Sequence, residues 1–222
     1  VVALVGPSGA GKTTFADLLK DAGYATGCVG KWQLTGDLPS LVHDCGFQEY
    51  QVWTWLHKLP EGIQHSGGWQ SKAKRVPSRF WHPGILSNGR YVPTRETDYG
   101  PDMYTDFAID FMKRHRDKPF VLYFPMALTH TPWDVTPDLK KPGAKTAKGL
   151  QTNVEYMDHL VGRIVKSLDE LSLRRNTIVL FTGDNGTQGA GKAQVTEAGA
   201  RVPLIVNCPG RVKGGVVSDE LV

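Results

Sequence analysis

Cysteine is scarce in this chain. Its three cysteines (Cys28, Cys45, Cys208) are too few and too scattered for a disulfide framework or a zinc site. Long apolar runs are also missing, and none approaches the length of a membrane span, so no membrane partner is expected. Charge is never concentrated: the formal net charge of +4 is spread along the chain without a long basic run. That argues against a nucleic-acid partner and is compatible with a small anionic ligand. The opening Val1-Val2-Ala3-Leu4-Val5 has neither a charged start nor a small-residue cleavage site, so no signal peptide is expected. A beginning inside a strand suggests a fragment. No address for a compartment and no indication of oligomeric state can be read.

What remains is ample for a core. With 222 residues and 40% hydrophobic content, residues 1–222 can form one α/β domain. Val1–Val5 reads as a strand and Thr13–Ala22 as a helix with Gly23 as its C-cap. Residues 38–97 are rich in Gly, Pro, Trp and His, lack a steady period and read as an irregular insertion with short strands at most. Asp102 is placed to cap a helix running to His115, and Pro119–Ala127 reads as a strand covered on both faces. The strongest helix runs over Thr152–Leu171, with Val154, Met157, Val161, Ile164, Val165, Leu168 and Leu171 at helical spacing. Thr177–Phe181 and Val202–Asn207 read as further strands. Strands alternating with helices predict a parallel sheet, whose sites form at strand C-terminal ends.

One such end carries the most informative stretch. Thr182-Gly183-Asp184-Asn185-Gly186 follows the apolar strand, and Gly191-Lys192 and Glu197-Ala198-Gly199-Ala200-Arg201-Val202-Pro203 come soon after. Asp184 and Asn185 offer hard oxygen ligands of the kind calcium or magnesium prefers. Lys192 and Arg201 suit an anionic substrate. Asp-Asn-Gly also makes an ordinary turn, because these residues tolerate left-handed backbone.

Near the N-terminus, Gly6-Pro7-Ser8-Gly9-Ala10-Gly11-Lys12-Thr13 fits the phosphate-binding P-loop pattern, between a strand-like run and a helix. In that reading Gly6 and Gly11 shape the turn, Lys12 meets the outer phosphates and Thr13 meets magnesium, for Mg-ATP. Residues 2–14 resemble the start of an ABC-type ATPase. Downstream there is no Leu-Ser-Gly-Gly-Gln segment, and Asn185 stands where the catalytic acid should follow Asp184.

Four segments resemble the sulfatase family in that family's order. They are Ala22–Trp32 (with Gly30-Lys31-Trp32), Lys118–Tyr123 running into Thr129-His130-Thr131-Pro132-Trp133, Asn176–Gly186, and Gly191–Pro203. The resemblance covers Phe15–Val222. It implies an alkaline-phosphatase-like three-layer sandwich with a mainly parallel central sheet, here truncated. It also implies sulfuric ester hydrolysis with calcium as the divalent cation. Carried over by position, Asp184 and Asn185 are two metal ligands, Lys31 contacts sulfate and nucleophile, His130 binds sulfate or protonates the leaving oxygen, and Lys192 holds a sulfate oxygen. The implied partner is a sulfated small molecule or glycan.

Departures from the family pattern bear on activity. The family's N-terminal Asp-Asp pair and its Cys-x-Pro-Ser-Arg motif, source of the formylglycine nucleophile, are absent upstream of Lys31. Arg75-Val76-Pro77-Ser78-Arg79 has arginine in the cysteine position, lies on the wrong side of Lys31 and reads as coincidence. Gln33 replaces the histidine two residues after the lysine. The expectation is a sulfatase body impaired in hydrolysis. A P-loop nucleotide binder and a non-catalytic module for sulfated ligands are the alternatives.

Overall fold

The computed structural model describes residues 2–4, 12–33, 40–55, 59 and 61–219, with the backbone alone at 2–4, 12–14 and 40. The chain begins with β1 (Val2–Leu4), α1 (Lys12–Asp21), β2 (Ala25–Gly30), α2 (Ser40–Asp44) and β3 (Glu49–Trp53). Four short strands follow, β4 (Trp69–Ser71), β5 (Val76–Pro77), β6 (Ile85–Ser87) and β7 (Arg90–Val92). Then come α3 (Gly100–Arg114), β8 (Phe120–Tyr123), α4 (Leu150–Glu170), β9 (Ile178–Thr182), α5 (Glu197–Ala200) and β10 (Leu204–Asn207).

Eight of these strands make one sheet in the order β10-β9-β1-β8-β2-β3-β6-β7, while β4 and β5 pair separately. Its centre is parallel: β9 with β1, β1 with β8, β8 with β2, and β2 with β3. The expected strand at the C-terminal end is β10, but it runs antiparallel to β9, Leu204 opposite Thr182. The stretch expected to be irregular supplies β3, β6 and β7 to this sheet. Strands of three to five residues are too short to show a period in the sequence.

Side-chain alternation splits the interior into two cores, one on each face of the sheet. Phe120 and Leu122 of β8, with Ala25 and Val29 of β2, pack under α3 and α4. Tyr123 and Cys28, one position out of phase, pack under α1 and α2 with Ala16, Val42 and Tyr50. The result is an α/β sandwich with a mainly parallel central sheet. Among the described residues no helix is long and apolar enough to cross a membrane.

Two helices differ in detail from the sequence reading. Asp102 does not cap α3. The helix starts at Gly100 behind Tyr99, with Pro101 in its first turn. The Asp102 carboxylate instead accepts hydrogen bonds from Tyr156 Oη at 2.9 Å and Arg163 Nη1 at 3.2 Å, tying α3 to α4. On α4 the buried face takes in part of the apolar stripe, since Leu168 is buried and Met157, Ile164 and Leu171 pack on the core. Val154 is exposed, whereas Asn153, Tyr156 and Leu160 are buried. Asn153 Nδ2 donates to the carbonyls of Asp134 (2.8 Å) and Gly149 (2.9 Å), contacts that a hydropathy stripe cannot register.

Phe111 is fully buried between α3 and β2, where a Cβ on Gly27 would lie 2.9 Å from its ring. The Phe111→Ala substitution is expected to lower stability by about 3–5 kcal/mol, read by urea denaturation followed by circular dichroism.

Candidate functional site

Parallel pairing brings the C-terminal ends of β2, β8 and β9 to the same edge of the sheet. Lys31 follows β2 directly, His130 lies seven residues beyond β8, and Asp184-Asn185 stand just after β9. These residues, together with Lys192 and Gln33, line one pocket of about 340 Å³. All five positions that the family resemblance assigns to the sulfatase site therefore share one cavity. The P-loop assignments fare differently. Gly6 and Gly11 lie outside the described residues, and Lys12 and Thr13 open α1 with only their backbone described.

Lys31 is positioned by its backbone. Its N–H donates to the Pro125 carbonyl at 2.7 Å, crossing from the end of β2 to the chain leaving β8. The preceding Gly30 has φ +112°, and a Cβ there would fall 2.3 Å from that same carbonyl oxygen. Only glycine permits this approach. Lys192 is held by a tight turn in which the N–H groups of Ala190, Gly191 and Lys192 all donate to the Thr187 carbonyl. Gly191 sits so close to Ala198 that a Cβ would lie 1.8 Å from its carbonyl oxygen. Lys31 is half-buried and Lys192 exposed.

His130 is the junction. Lys192 Nζ donates to its Nε2 at 3.2 Å, and its Nδ1 lies 2.7 Å from the Thr131 carbonyl. An ammonium has only donors, so with Lys192 in place Nε2 accepts and Nδ1 carries the proton toward Thr131, which makes the 3.3 Å approach of Arg79 Nη2 an electrostatic contact and not a hydrogen bond. Burial, reinforced by the charges of Arg79, Lys31 and Lys192, pushes His130 down to about 4, so it is neutral at physiological pH. Lys31 is pushed down to about 8, first by burial and then by Arg79 and Lys192, against the pull of Asp184.

Arg79 is the residue that sequence reasoning missed. The motif set aside as coincidence ends on this arginine, and its side chain is 1% exposed. Its Nη2 donates to the Thr131 carbonyl at 3.0 Å and sits 3.3 Å from His130 Nδ1. Its Nε donates to Gln70 Oε1 at 2.9 Å, and its guanidinium carbon lies 4.5 Å from the Trp53 ring centroid. Burial lowers its pKa to about 10, still far above neutrality. Only the tertiary fold shows it behind His130.

The donor set for a divalent cation is thin. Asp184 is the one carboxylate among the described residues lining the pocket, and Asn185 adds one amide. Among the described residues no group of three or more His, Cys, Asp or Glu converges to hold a metal. Calcium takes six to eight oxygens, usually with several carboxylates. The described side chains do not meet that demand. No thiol serves the pocket either: Cys28, Cys45 and Cys208 are all buried elsewhere, and burial raises the Cys28 thiol well above its ordinary value.

The family description Sulfatase matches residues 2–221. An N-acetylgalactosamine-6-sulfatase of Canis lupus familiaris is 32% identical over 233 residues, covering 92% of this chain and 41% of the relative. An N-acetylgalactosamine-6-O-sulfatase of Bacteroides thetaiotaomicron is 26% identical over 271 residues, covering 90% of this chain and 52% of the relative. The chain thus spans about half the length of these relatives or less. The crystal structure of Ps i-CgsB in complex with k-i-k-neocarrahexaose superimposes with a TM-score of 0.69 at 26% identity, covering 90% of this chain and 48% of that one. A protein of the alkaline phosphatase superfamily from Vibrio parahaemolyticus shares the fold at a TM-score of 0.52 and 17% identity, covering 88% of this chain and 41% of its own.

Because Lys31 loses its charge as pH rises through about 8, the affinity of the free chain for inorganic sulfate is expected to fall above that pH. The limiting slope is about tenfold per pH unit, and calorimetric titrations across that range measure it.

Proposed function

This chain belongs to the sulfatase family, and from that premise we propose that its pocket recognises the sulfate ester of a sulfated glycan without completing hydrolysis. The observation that carries this reading is the convergence of Lys31, His130, Lys192, Asp184 and Asn185 on one cavity at the sheet edge. Lys31, half-buried and fixed through its backbone, supplies a preorganised charge for one sulfate oxygen. Lys192, released from His130 Nε2, supplies a second from the solvent side. The glycan expectation follows relatives named for sulfated N-acetylgalactosamine and a structural neighbour crystallised with a carrageenan-type oligosaccharide.

Chemistry beyond recognition is blocked in two ways. The formylglycine that attacks sulfur in the family has no precursor here, since no cysteine lines the pocket. His130 is neutral near pH 7, so it has no imidazolium proton to give a leaving oxygen. The family generally works with a divalent cation that polarises sulfate and nucleophile. Asp184 is the single carboxylate among the described lining residues, and no step is assigned to the ion here.

N-acetylgalactosamine 6-sulfate should bind in a calorimetric titration while inorganic sulfate release stays at the buffer rate. The Lys31→Gln substitution is expected to weaken binding about tenfold or more, as for a lost hydrogen bond to a charged group. Release above the buffer rate would overturn the claim of impaired hydrolysis, and absence of binding would overturn the recognition itself.

A second reading, nucleotide binding at Gly6–Thr13, is favoured by one observation. β1 ends at Leu4 and α1 begins at Lys12, which puts a strand before the motif and a helix at its end. In that case Mg-ATP at a hundredfold excess over its dissociation constant stabilises the chain by about 2.7 kcal/mol, seen as a rise in melting temperature. An unchanged melting temperature would remove this reading.

A further inference from the structure

The charges around the pocket do not suit the ion the family employs. Lys31 and Lys192 line the cavity, and Arg79 lies behind His130 at 3.3 Å from its Nδ1. Against these three cations stands a single lining carboxylate, Asp184. The surroundings are therefore net positive, and a divalent cation placed beside Asp184 would meet repulsion from every other charged side chain at the site.

Topology shows why the deficit is not repaired by the first strand. β1 runs parallel to β9 in direct register, Leu4 opposite Leu180, and β9 leads into Asp184. In the family that strand ends in an Asp-Asp pair. Here the sequence after Leu4 reads Val5-Gly6-Pro7-Ser8-Gly9-Ala10-Gly11-Lys12, with no carboxylate and with one further cation. The sequence after Leu4 thus lacks the acidic pair, while Lys31, His130 and Lys192 line the cavity among the described residues.

We propose that this pocket holds a sulfate group through side-chain cations alone, without a divalent metal, and that Asp184 opposes the anion instead of recruiting an ion to bind it. The proposal rests on the recognition reading above and reverses the sign of one residue's contribution. With a metal present, Asp184 sits between two positive partners and helps. Without one, it is an exposed carboxylate facing an incoming anion, and only Lys31 and Lys192 offset it.

The test titrates the full chain with sodium sulfate at low ionic strength, once in EDTA and once in excess calcium. Wild type is expected to bind equally in both buffers. Asp184→Asn is expected to tighten sulfate binding about three- to tenfold, the size of removing one like charge at a partly solvated site. Asn185→Asp is expected to weaken it by about the same factor. Both positions face solvent in part, and thermal melts confirm that each variant folds. Sulfate binding that requires calcium, or weakening by Asp184→Asn, would overturn the metal-free proposal while leaving sulfate recognition intact. No sulfate binding by wild type in either buffer would overturn the recognition reading and this inference with it.

Discussion

Parallel pairing of β2, β8, β1 and β9 forces four successive chain exits onto one edge of the sheet. The pocket exists because of that constraint. Lys31 arrives from one exit, His130 from the next and Asp184 from the last, although 153 positions separate the first from the last in sequence. The two cores serve this alignment from opposite faces. Phe120 and Leu122 fix β8 against α3 and α4, and Tyr123 fixes it against α1 and α2. A strand gripped on both faces cannot slip by one residue without inverting its burial. The functional edge therefore inherits its precision from apolar packing well below it.

At the edge itself, close backbone approach takes over from side-chain packing. Gly30 lets the end of β2 touch the chain leaving β8, and Gly191 lets the Lys192 turn press on Ala198. These contacts set the spacing of the two lysines that flank His130. The imidazole is then held between a carbonyl on one side and an ammonium on the other, with a buried guanidinium behind it. Its neutrality follows first from burial and then from the neighbouring cations, and it stands between Arg79 and Lys192, accepting a hydrogen bond from the second.

Much of this was legible in the residues. Short segments such as Gly30-Lys31-Trp32 and Thr182–Gly186 carry their chemistry in fixed local order, so the pocket-lining residues could be named before any contact was known. The parallel centre followed from strands alternating with a strong helix. Three features were hidden for physical reasons. Arg79 has no local signal, since its importance comes from burial against Trp53 and His130, both distant in sequence. The N-terminal part of the α4 face departs from the apolar stripe because Asn153 and Tyr156 bury polar groups whose partners exist only in the folded chain. The strands between residues 38 and 97 are too short to show alternation, and their place beside β2 depends on long-range pairing.

The contrast between the two lysines has a kinetic meaning. Lys192 stands in solvent on a turn, while Lys31 is recessed and fixed to the sheet. An approaching anion feels the outer charge first, through a field that added salt screens within about 8–10 Å. The inner charge acts only after water has left. On the proposed sulfate reading, encounter rate and residence time are thus governed by different residues, the first sensitive to ionic strength and the second largely indifferent to it.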